Sequence, residues 1–239
     1  MSALEALLGV QALDTTTDQL RHRRDHLPDR TELAACQTRL REVEQQSGTL
    51  QEQRDDLTRN EKRLEDEISM VRDKAAQTDK KLYSGTVTVP RELTALQEEM
   101  EALARRQRQL EDQELELMEA AEPIDAELSK LAADHRALDD QAIGLLARIA
   151  EDEVAIDAEL EGVIAEREAA VGVGGISDEL LQEYESMRKA LGGVAVARLS
   201  GNRCEGCHLT LSAVDVDRIR RAPDDEIAHC TECNRLLVR

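Results

Sequence analysis

Aromatic residues are almost missing from this chain, which has no Trp, no Phe and only two Tyr among 239 residues. A large layered core normally takes much of its buried area from aromatic side chains, so the composition argues against such a core. Charged residues make up 34% of the chain, and Leu, Ala, Glu, Arg, Asp and Gln dominate. This composition is typical of long paired helices with a narrow seam rich in Leu and Ala.

Long apolar runs are also missing, and none approaches the roughly 20 residues that a membrane span needs. The first five residues, Met1 to Glu5, lack the basic start and apolar run of a secretory signal peptide. We therefore expect a cytoplasmic protein with no membrane partner. Thiols stay reduced in that compartment, which favours metal binding over disulfide formation.

Positive charge is scarce, since 31 basic and 51 acidic residues give a formal net charge of −20. Residues 198–239 hold seven Arg and seven acidic residues, so 24 basic and 44 acidic residues lie in residues 1–197. An acidic surface repels phosphate backbones and anionic lipids. Residues 1–197 therefore make a poor surface for nucleic acid or membranes.

No group of residues has the pattern of a catalytic site. The chain has no glycine-rich phosphate loop, and no Ser or Cys has a base at a spacing that would bring the two together. Its carboxylates fall on the solvated faces of predicted helices, where no cleft would raise a pKa. We expect a protein that is not an enzyme and has no small-molecule substrate.

Heptad columns run through residues 1–170 with one interruption. Positions 36, 43, 50, 57, 64 and 71 are Cys, Val, Leu, Leu, Leu and Val, and positions 96, 103, 110, 117, 124, 131, 138 and 145 are Leu with one Ile. An apolar residue at every seventh position over so many turns predicts a coiled coil. Companion columns run at positions 33, 40, 47, 54, 61, 68, 75 and 82 and at positions 93, 100, 107, 114, 121, 128, 135, 142, 149 and 156. Cys36 acts as a small buried hydrophobe in the first main column, and His135 is a polar seam residue in the second companion column.

The interruption at residues 83–90 predicts the tip of a hairpin. Gly85 breaks the first helix, and Pro90 suits the first turn of the second, where its missing N–H has no helical partner. Arms of similar length on either side predict an antiparallel hairpin that buries its own seam, so we expect a monomer or a weak dimer. Pro28 should break the first arm, and Pro123 should kink the second.

A short linker separates the hairpin from the end of the chain. Glycines at 172, 174 and 175 precede a predicted helix that starts near Ser177, runs to Leu191 and stops at Gly192. A strand at residues 194–197 follows. The predicted organisation is a coiled-coil hairpin over residues 1–170, a linker and short helix over 171–197, and a separate unit over 198–239.

Four cysteines mark that last unit, as Cys204-x2-Cys207 and Cys230-x2-Cys233. Two such pairs can supply the four corners of a tetrahedral zinc site. We predict one structural Zn²⁺ in a zinc ribbon, because four thiolates leave no open coordination position. An iron–sulfur cluster uses similar ligands, but two separated pairs without a third local Cys fit zinc better.

The residue directly after each cysteine pair is informative: His208 follows Cys207, and Asn234 follows Cys233. Knuckle turns that aim N–H groups at sulfur often need a positive φ, which His and Asn tolerate better than most residues. His208 and His229 are alternative metal ligands, although four Cys already complete the site. A redox dithiol would need only one pair.

Arginines surround the predicted metal site: Arg218, Arg220 and Arg221 between the pairs, and Arg235 after the second. One interpretation makes them a surface for nucleic acid or an acidic partner. The other pairs them with nearby acidic residues, namely Asp215, Asp217, Asp224, Asp225 and Glu226. The ribbon has no net positive charge and no aromatic residue for base stacking, which weakens nucleic-acid binding.

The tip and ribbon motifs resemble those of a bacterial family of coiled-coil proteins with a C-terminal four-cysteine zinc ribbon. The similarity lies in Lys81 to Val87 with Pro90-Arg91-Glu92-Leu93, in Cys204-Glu205-Gly206-Cys207-His208, and in Cys230-x2-Cys233-x-Arg235. The resemblance implies a long helical hairpin, a zinc ribbon and no known enzymatic activity. It also implies that some relatives are flagellar regulators that bind an alternative sigma factor or an mRNA.

Together these observations predict a mainly α protein, a long antiparallel coiled-coil hairpin with a small C-terminal β zinc ribbon. The predicted function is a non-enzymatic, zinc-binding adaptor. It would engage a protein of the transcription or translation machinery through the ribbon or through the coil tip, with Tyr83, Gly85, Pro90 and Arg91. The alternatives are RNA or DNA binding by the ribbon arginines, and a purely structural spacer.

Overall fold

The computed structural model describes residues 2–223 and 226–239. Within these residues, long helices form a hairpin and short strands follow at the C-terminal end, which confirms the predicted fold class. The elements are α1 (Ala3–Asp25), α2 (Pro28–Tyr83), α3 (Pro90–Val173), α4 (Asp178–Ala190), β1 (Val196–Ser200), β2 (Arg203–Cys204), α5 (Ala213–Arg221), β3 (Ala228–His229) and β4 (Leu236–Val238). No helix in the described residues combines the length and apolar character needed to cross a membrane.

The helix boundaries follow the glycines and prolines closely. Pro28 begins α2 after α1 has ended, and the tip separates Tyr83 from Pro90 as predicted. One boundary differs from expectation, the end of α3, and the kink predicted at Pro123 stays a prediction. Helix α3 continues through Pro123, and it extends beyond residue 170 because Gly174 N–H still bonds to Ala170 O at 2.9 Å.

The chain divides into two compact units, Glu32–Leu145 and Met1–Thr31 with Leu146–Arg239. In the Glu32–Leu145 unit, α2 and α3 pair antiparallel. Cys36 Sγ donates to Leu138 O at 3.2 Å, and Arg106 Nη2 lies 3.1 Å from Glu67 Oε2. In each pair, the two residues lie at nearly equal sequence distances on either side of the tip, as an antiparallel hairpin requires. The buried residues of this unit lie on the predicted heptad columns, and they include Cys36, Val43, Leu64, Ile68, Leu110, Ala121 and Leu131.

The middle of this seam is polar instead of apolar. Arg54 Nε donates to Asp125 Oδ1 at 2.9 Å, and Arg54 Nη1 donates to Glu61 Oε2 at 3.4 Å. His135 lies between two carboxylates, 3.3 Å from Glu44 and 3.0 Å from Asp139. These hydrogen bonds and ion pairs satisfy the polar side chains that replace Leu in the seam.

In the other unit, the strands form one sheet in the order β2-β1-β4-β3. Strand β1 pairs parallel with β4, so that Val196 faces Leu236, and the outer pairs are antiparallel. The strand predicted over residues 194–197 thus begins at Val196 and reaches Ser200. Helix α5 was not predicted. Ser212 caps it by accepting a hydrogen bond from Asp215 N–H at 3.1 Å.

The ribbon sheet shares its core with the first helix of the chain. One buried cluster combines Leu7 and Val10 of α1, Leu180 and Tyr184 of α4, and Ala195, Val196, Leu236 and Val238 of the ribbon. Gln11 Nε2 donates to Val196 O at 2.8 Å, and Gln11 Oε1 accepts from the N–H groups of Ala195 and Val196, both at 2.7 Å. Helix α1 is therefore part of the surface on which the ribbon folds.

Candidate functional site

The four predicted metal ligands, Cys204, Cys207, Cys230 and Cys233, come together as one cluster. All four Sγ atoms lie within 4.8 Å of one another, and those of Cys207 and Cys230 are 3.9 Å apart. Zinc–sulfur bonds of about 2.3 Å give sulfur–sulfur distances of about 3.8 Å in a tetrahedron. The cluster therefore fits a tetrahedral zinc ion, with every corner taken by protein.

Both cysteine pairs adopt the same backbone turn. His208 N–H donates to Cys204 O, and Asn234 N–H donates to Cys230 O, each at 2.8 Å. The two donors have positive φ angles of 63° and 60°, which confirms the prediction made from their positions. The turn brings N–H groups toward sulfur, so the ligand geometry is set by the backbone before any metal is considered.

Burial dominates the electrostatics of the cluster. It raises the pKa of the Cys230 thiol to about 12 and also raises the pKa of Cys204. Burial acts in the same direction on Cys233, but hydrogen bonds, first from the Arg235 backbone, bring its pKa down to about 7. A divalent cation would offset the charge of thiolates that burial otherwise disfavours.

The two histidines near the site are not part of this cluster, whose members among the described residues are the four cysteines alone. His229 Nε2 lies 3.6 Å from Glu183 Oε1 in α4. His208 contributes its main chain, with its carbonyl accepting a 2.8 Å hydrogen bond from Arg203 Nε. The geometry therefore fits cysteine ligands rather than the two histidines.

Gly206, inside the first cysteine pair, leaves room for Arg235. A Cβ atom at position 206 would lie 2.6 Å from Arg235 Cδ and 2.9 Å from Ala197 Cβ, both too close. Arg235 Nε also donates to Val194 O at 2.8 Å. This arginine, predicted as a partner contact, thus packs across the first turn and ties it to the chain before β1.

The three arginines of α5 are exposed and have partners within the ribbon. Arg218 lies 3.3 Å from Asp215, and Arg221 lies 3.0 Å from Asp217. Arg220 donates to Gly201 O at 2.8 Å. Pairing with Asp215 and Asp217 matches the second interpretation of these arginines, while Asp224 and Asp225 lie outside the described residues. A role of the four arginines in binding a partner or nucleic acid stays a prediction.

The predicted tip residues lie together at the turn between α2 and α3. Tyr83 is 79% exposed, and Gly85 has a φ of 72° that favours glycine. A 2.6 Å hydrogen bond joins the hydroxyls of Ser84 and Thr86. Pro90 and Arg91 begin α3 and are exposed, so the tip presents an aromatic side chain on an ordered turn.

A four-cysteine metal site that follows a helical hairpin defines a zinc-ribbon coiled-coil protein. Residues 10–192 match the model of the CT398-like coiled coil hairpin domain. Residues 203–237 match the C4-type zinc ribbon domain. The chain therefore belongs to the CT398-like coiled-coil hairpin family and carries a C4-type zinc ribbon.

The similarity to known proteins covers nearly the whole chain. The uncharacterised protein Rv2229c of Mycobacterium tuberculosis is 31% identical over 239 residues, with 98% of this chain and 94% of that protein covered. A solved structure from Mycobacterium smegmatis has 27% identity and a TM-score of 0.85, covering 99% of this chain and 97% of its own. CT398 from Chlamydia trachomatis has 22% identity and a TM-score of 0.71, covering 98% of this chain and 96% of its own. At this level of identity the similarity supports the fold alone.

Proposed function

We propose that this protein is a non-enzymatic adaptor in which one structural zinc ion holds the ribbon. The ribbon or the coil tip engages a protein of the transcription or translation machinery. A structural role for the metal is supported by the four cysteine ligands, which leave no coordination position for a substrate or a reacting water. The class of partner follows from the resemblance of the tip and ribbon motifs to their family.

One observation carries the adaptor function: Tyr83 at the tip is 79% exposed, whereas Tyr184 is fully buried. The chain has no other aromatic residue apart from its histidines. Tyrosine is among the residues that contribute most to protein interfaces, because it buries a large amphipathic side chain at low entropic cost. An exposed tyrosine on an ordered turn favours contact with a protein partner.

Affinity purification with mass spectrometry, with and without nuclease, tests this function. The full-length protein should retain a partner after nuclease treatment. A tip variant, Tyr83→Ala, or a ribbon variant, Cys233→Ser, should lose it. Met70→Ala is the matched control, because Met70 is an apolar side chain of α2 that is 64% exposed. A partner that both the tip variant and the ribbon variant retain would support a purely structural spacer instead.

Nucleic-acid binding by the ribbon is the alternative function. It is not favoured by the contacts of α5, because Arg218 and Arg221 lie beside carboxylates of their own helix. Phosphate binding by these two arginines would have to compete with those carboxylates. Arg235 is half-buried and bonded to Val194 O, which leaves it less available for an extended polyanion.

A further inference from the structure

The coil tip is a basic segment of an acidic chain. Residues 80–91 contain three basic residues, Lys80, Lys81 and Arg91, and no acidic residue, whereas the whole chain carries a formal charge of −20. All three side chains are exposed. In the described part of the chain, none of the three forms an ion pair, so their charges are open to a partner.

Several arginines of the hairpin are paired with carboxylates of the chain. Arg106 lies 3.1 Å from Glu67, and Arg105 lies 3.7 Å from Glu101. Lys62 and Arg63 lie between two acidic residues of α2, Glu61 and Glu65. The tip differs because its three cations share a stretch of 12 residues without a carboxylate, which Asp79 and Glu92 border at its two ends.

Helix stability explains only part of this charge. Lys80 and Lys81 lie in the last turn of α2, where a cation interacts favourably with the helix dipole. Arg91 lies in the first turn of α3, where the dipole disfavours a cation. A basic residue at that position does not stabilise its own helix, so helix stability does not account for the charge of Arg91.

The same turn presents apolar surface between the cations. Tyr83 is 79% exposed and Val89 is 48% exposed. Ser84 Oγ donates to Lys81 O at 2.9 Å and accepts from Thr86 N–H at 3.3 Å. These hydrogen bonds order the turn, so less conformational entropy is lost when a partner binds.

We propose that the tip binds an acidic protein segment whose apolar side chain packs on Tyr83 and Val89 while its carboxylates face Lys80, Lys81 and Arg91. This inference rests on the proposed adaptor function and names the chemistry of its partner. Opposite charges around an apolar centre give both specificity and faster association. A nucleic acid fits less well, because its phosphates would continue past the tip along an acidic coil that repels them.

Peptide display on the full-length protein tests the proposal without a known partner. The wild-type chain should enrich peptides that combine Asp or Glu with an apolar residue. A synthetic copy of the most enriched peptide should bind the combined variant Lys80→Glu, Lys81→Glu, Arg91→Glu at least about tenfold more weakly, because attraction becomes repulsion. Tyr83→Ala keeps the tip charges and should also weaken peptide binding. It provides an independent test of the proposal if the triple variant folds poorly.

A second triple variant controls for net charge. Arg39→Glu, Lys62→Glu and Arg63→Glu make the same change in charge at exposed positions of α2, and peptide affinity should stay within about twofold at physiological salt, since distant charges are screened. Equal losses in the two triple variants would overturn the proposal. So would selected peptides without acidic enrichment, or tip-dependent binding of a single-stranded RNA 20-mer or of phosphatidylglycerol vesicles that is tighter than that of the peptide.

The adaptor function and this inference fail in different ways. If tip variants keep the nuclease-resistant partner while Cys233→Ser loses it, the adaptor function stands and the acidic-segment proposal is wrong. If acid-rich peptides bind the tip but no cellular partner depends on the tip or on the ribbon, the tip chemistry stands and the adaptor function is wrong.

Discussion

The hydroxyl of Tyr184 donates a 2.7 Å hydrogen bond to Oδ2 of Asp14, which joins α4 to α1 across 170 residues of sequence. Tyr184 is fully buried, and Asp14 is 7% exposed. The other carboxylate oxygen of Asp14 accepts from Arg167 Nε at 2.7 Å, and its main-chain carbonyl accepts from Arg188 Nη2 at 3.0 Å. A buried carboxylate persists only when it is paired and hydrogen-bonded, so this cluster fastens α3 and α4 to α1.

Removing the tyrosine hydroxyl should destabilise the unit that contains the ribbon. Tyr184→Phe keeps the ring but leaves Asp14 Oδ2 without its closest donor, and we expect a loss of about 1–2 kcal/mol in the free energy of unfolding. Urea denaturation followed by circular dichroism measures it. The control is Tyr83→Phe at the exposed tip, which should change stability by less than about 0.5 kcal/mol. Equal effects of the two variants would contradict the importance of the Asp14 bond.

The same tyrosine predicts a loss of stability at alkaline pH. Burial, and then the hydrogen bond to Asp14, raise the pKa of Tyr184 well above its usual value of 10.0. Above pH 10 the unfolded state releases this proton while the folded state keeps it, so stability falls as the pH rises. Tyr184→Phe should show a shallower fall between pH 9.5 and about 11. Parallel curves for wild type and variant, measured by urea denaturation at each pH, would show that Tyr184 does not contribute.

Local signals were enough to predict the metal ligands and the tip. Two Cys-x2-Cys pairs require only short turns, and the positive φ angles of His208 and Asn234 follow from the same turn chemistry. Gly85 and Pro90 likewise end and begin helices through their own backbone constraints. Each of these features depends on a few neighbouring residues, and each is found in the structure.

Contacts distant in sequence could not be predicted in this way. Gln11 binds Val196 across 185 residues, and nothing in the residues around Gln11 indicates a strand as its partner. Helix α5 did have a local signal, since Ser212 precedes Asp215 by three residues and the buried Val216 and Ile219 are three apart. The cysteine spacing by itself does not indicate a helix between the two pairs.

Zinc removal should unfold the ribbon and loosen its neighbours. Zinc contributes on the order of 10 kcal/mol to folding in small structural sites, and the ribbon shares a buried cluster with Leu7 and Tyr184. After chelation, hydrogen exchange should lose protection in residues 196–238 and in part of α1 and α4, while residues 32–145 keep theirs. Metal analysis should find one zinc per chain in wild type and in Cys36→Ser, and none in Cys204→Ser. Loss of protection throughout residues 32–145 would contradict separate stability of that unit.

A methyl group at Gly206 should disturb the first cysteine turn. Gly206→Ala places Cβ within 2.9 Å of the fixed Ala197 Cβ and within 2.6 Å of Arg235 Cδ, and overpacking of this kind costs about 1–3 kcal/mol. We expect weaker zinc retention in competition with a chromogenic chelator. Gly48→Ala in α2 is the control, because nothing lies within 4 Å of its new methyl group and alanine favours the helix. Unchanged zinc retention in Gly206→Ala would show that the turn can relax at no cost.

The ribbon arginines should not produce salt-dependent binding of nucleic acid. Each phosphate contact made by a cation steepens the fall of affinity with salt, so an interface built on Arg218, Arg220, Arg221 and Arg235 would lose affinity sharply between low and physiological salt. Because Arg218 and Arg221 already lie beside Asp215 and Asp217, we expect no such binding in a shift assay with pooled RNA and DNA. Asp215→Asn with Asp217→Asn frees both arginines and is the positive control. Salt-sensitive binding by the wild type that Arg218→Ala and Arg221→Ala abolish would establish the nucleic-acid alternative.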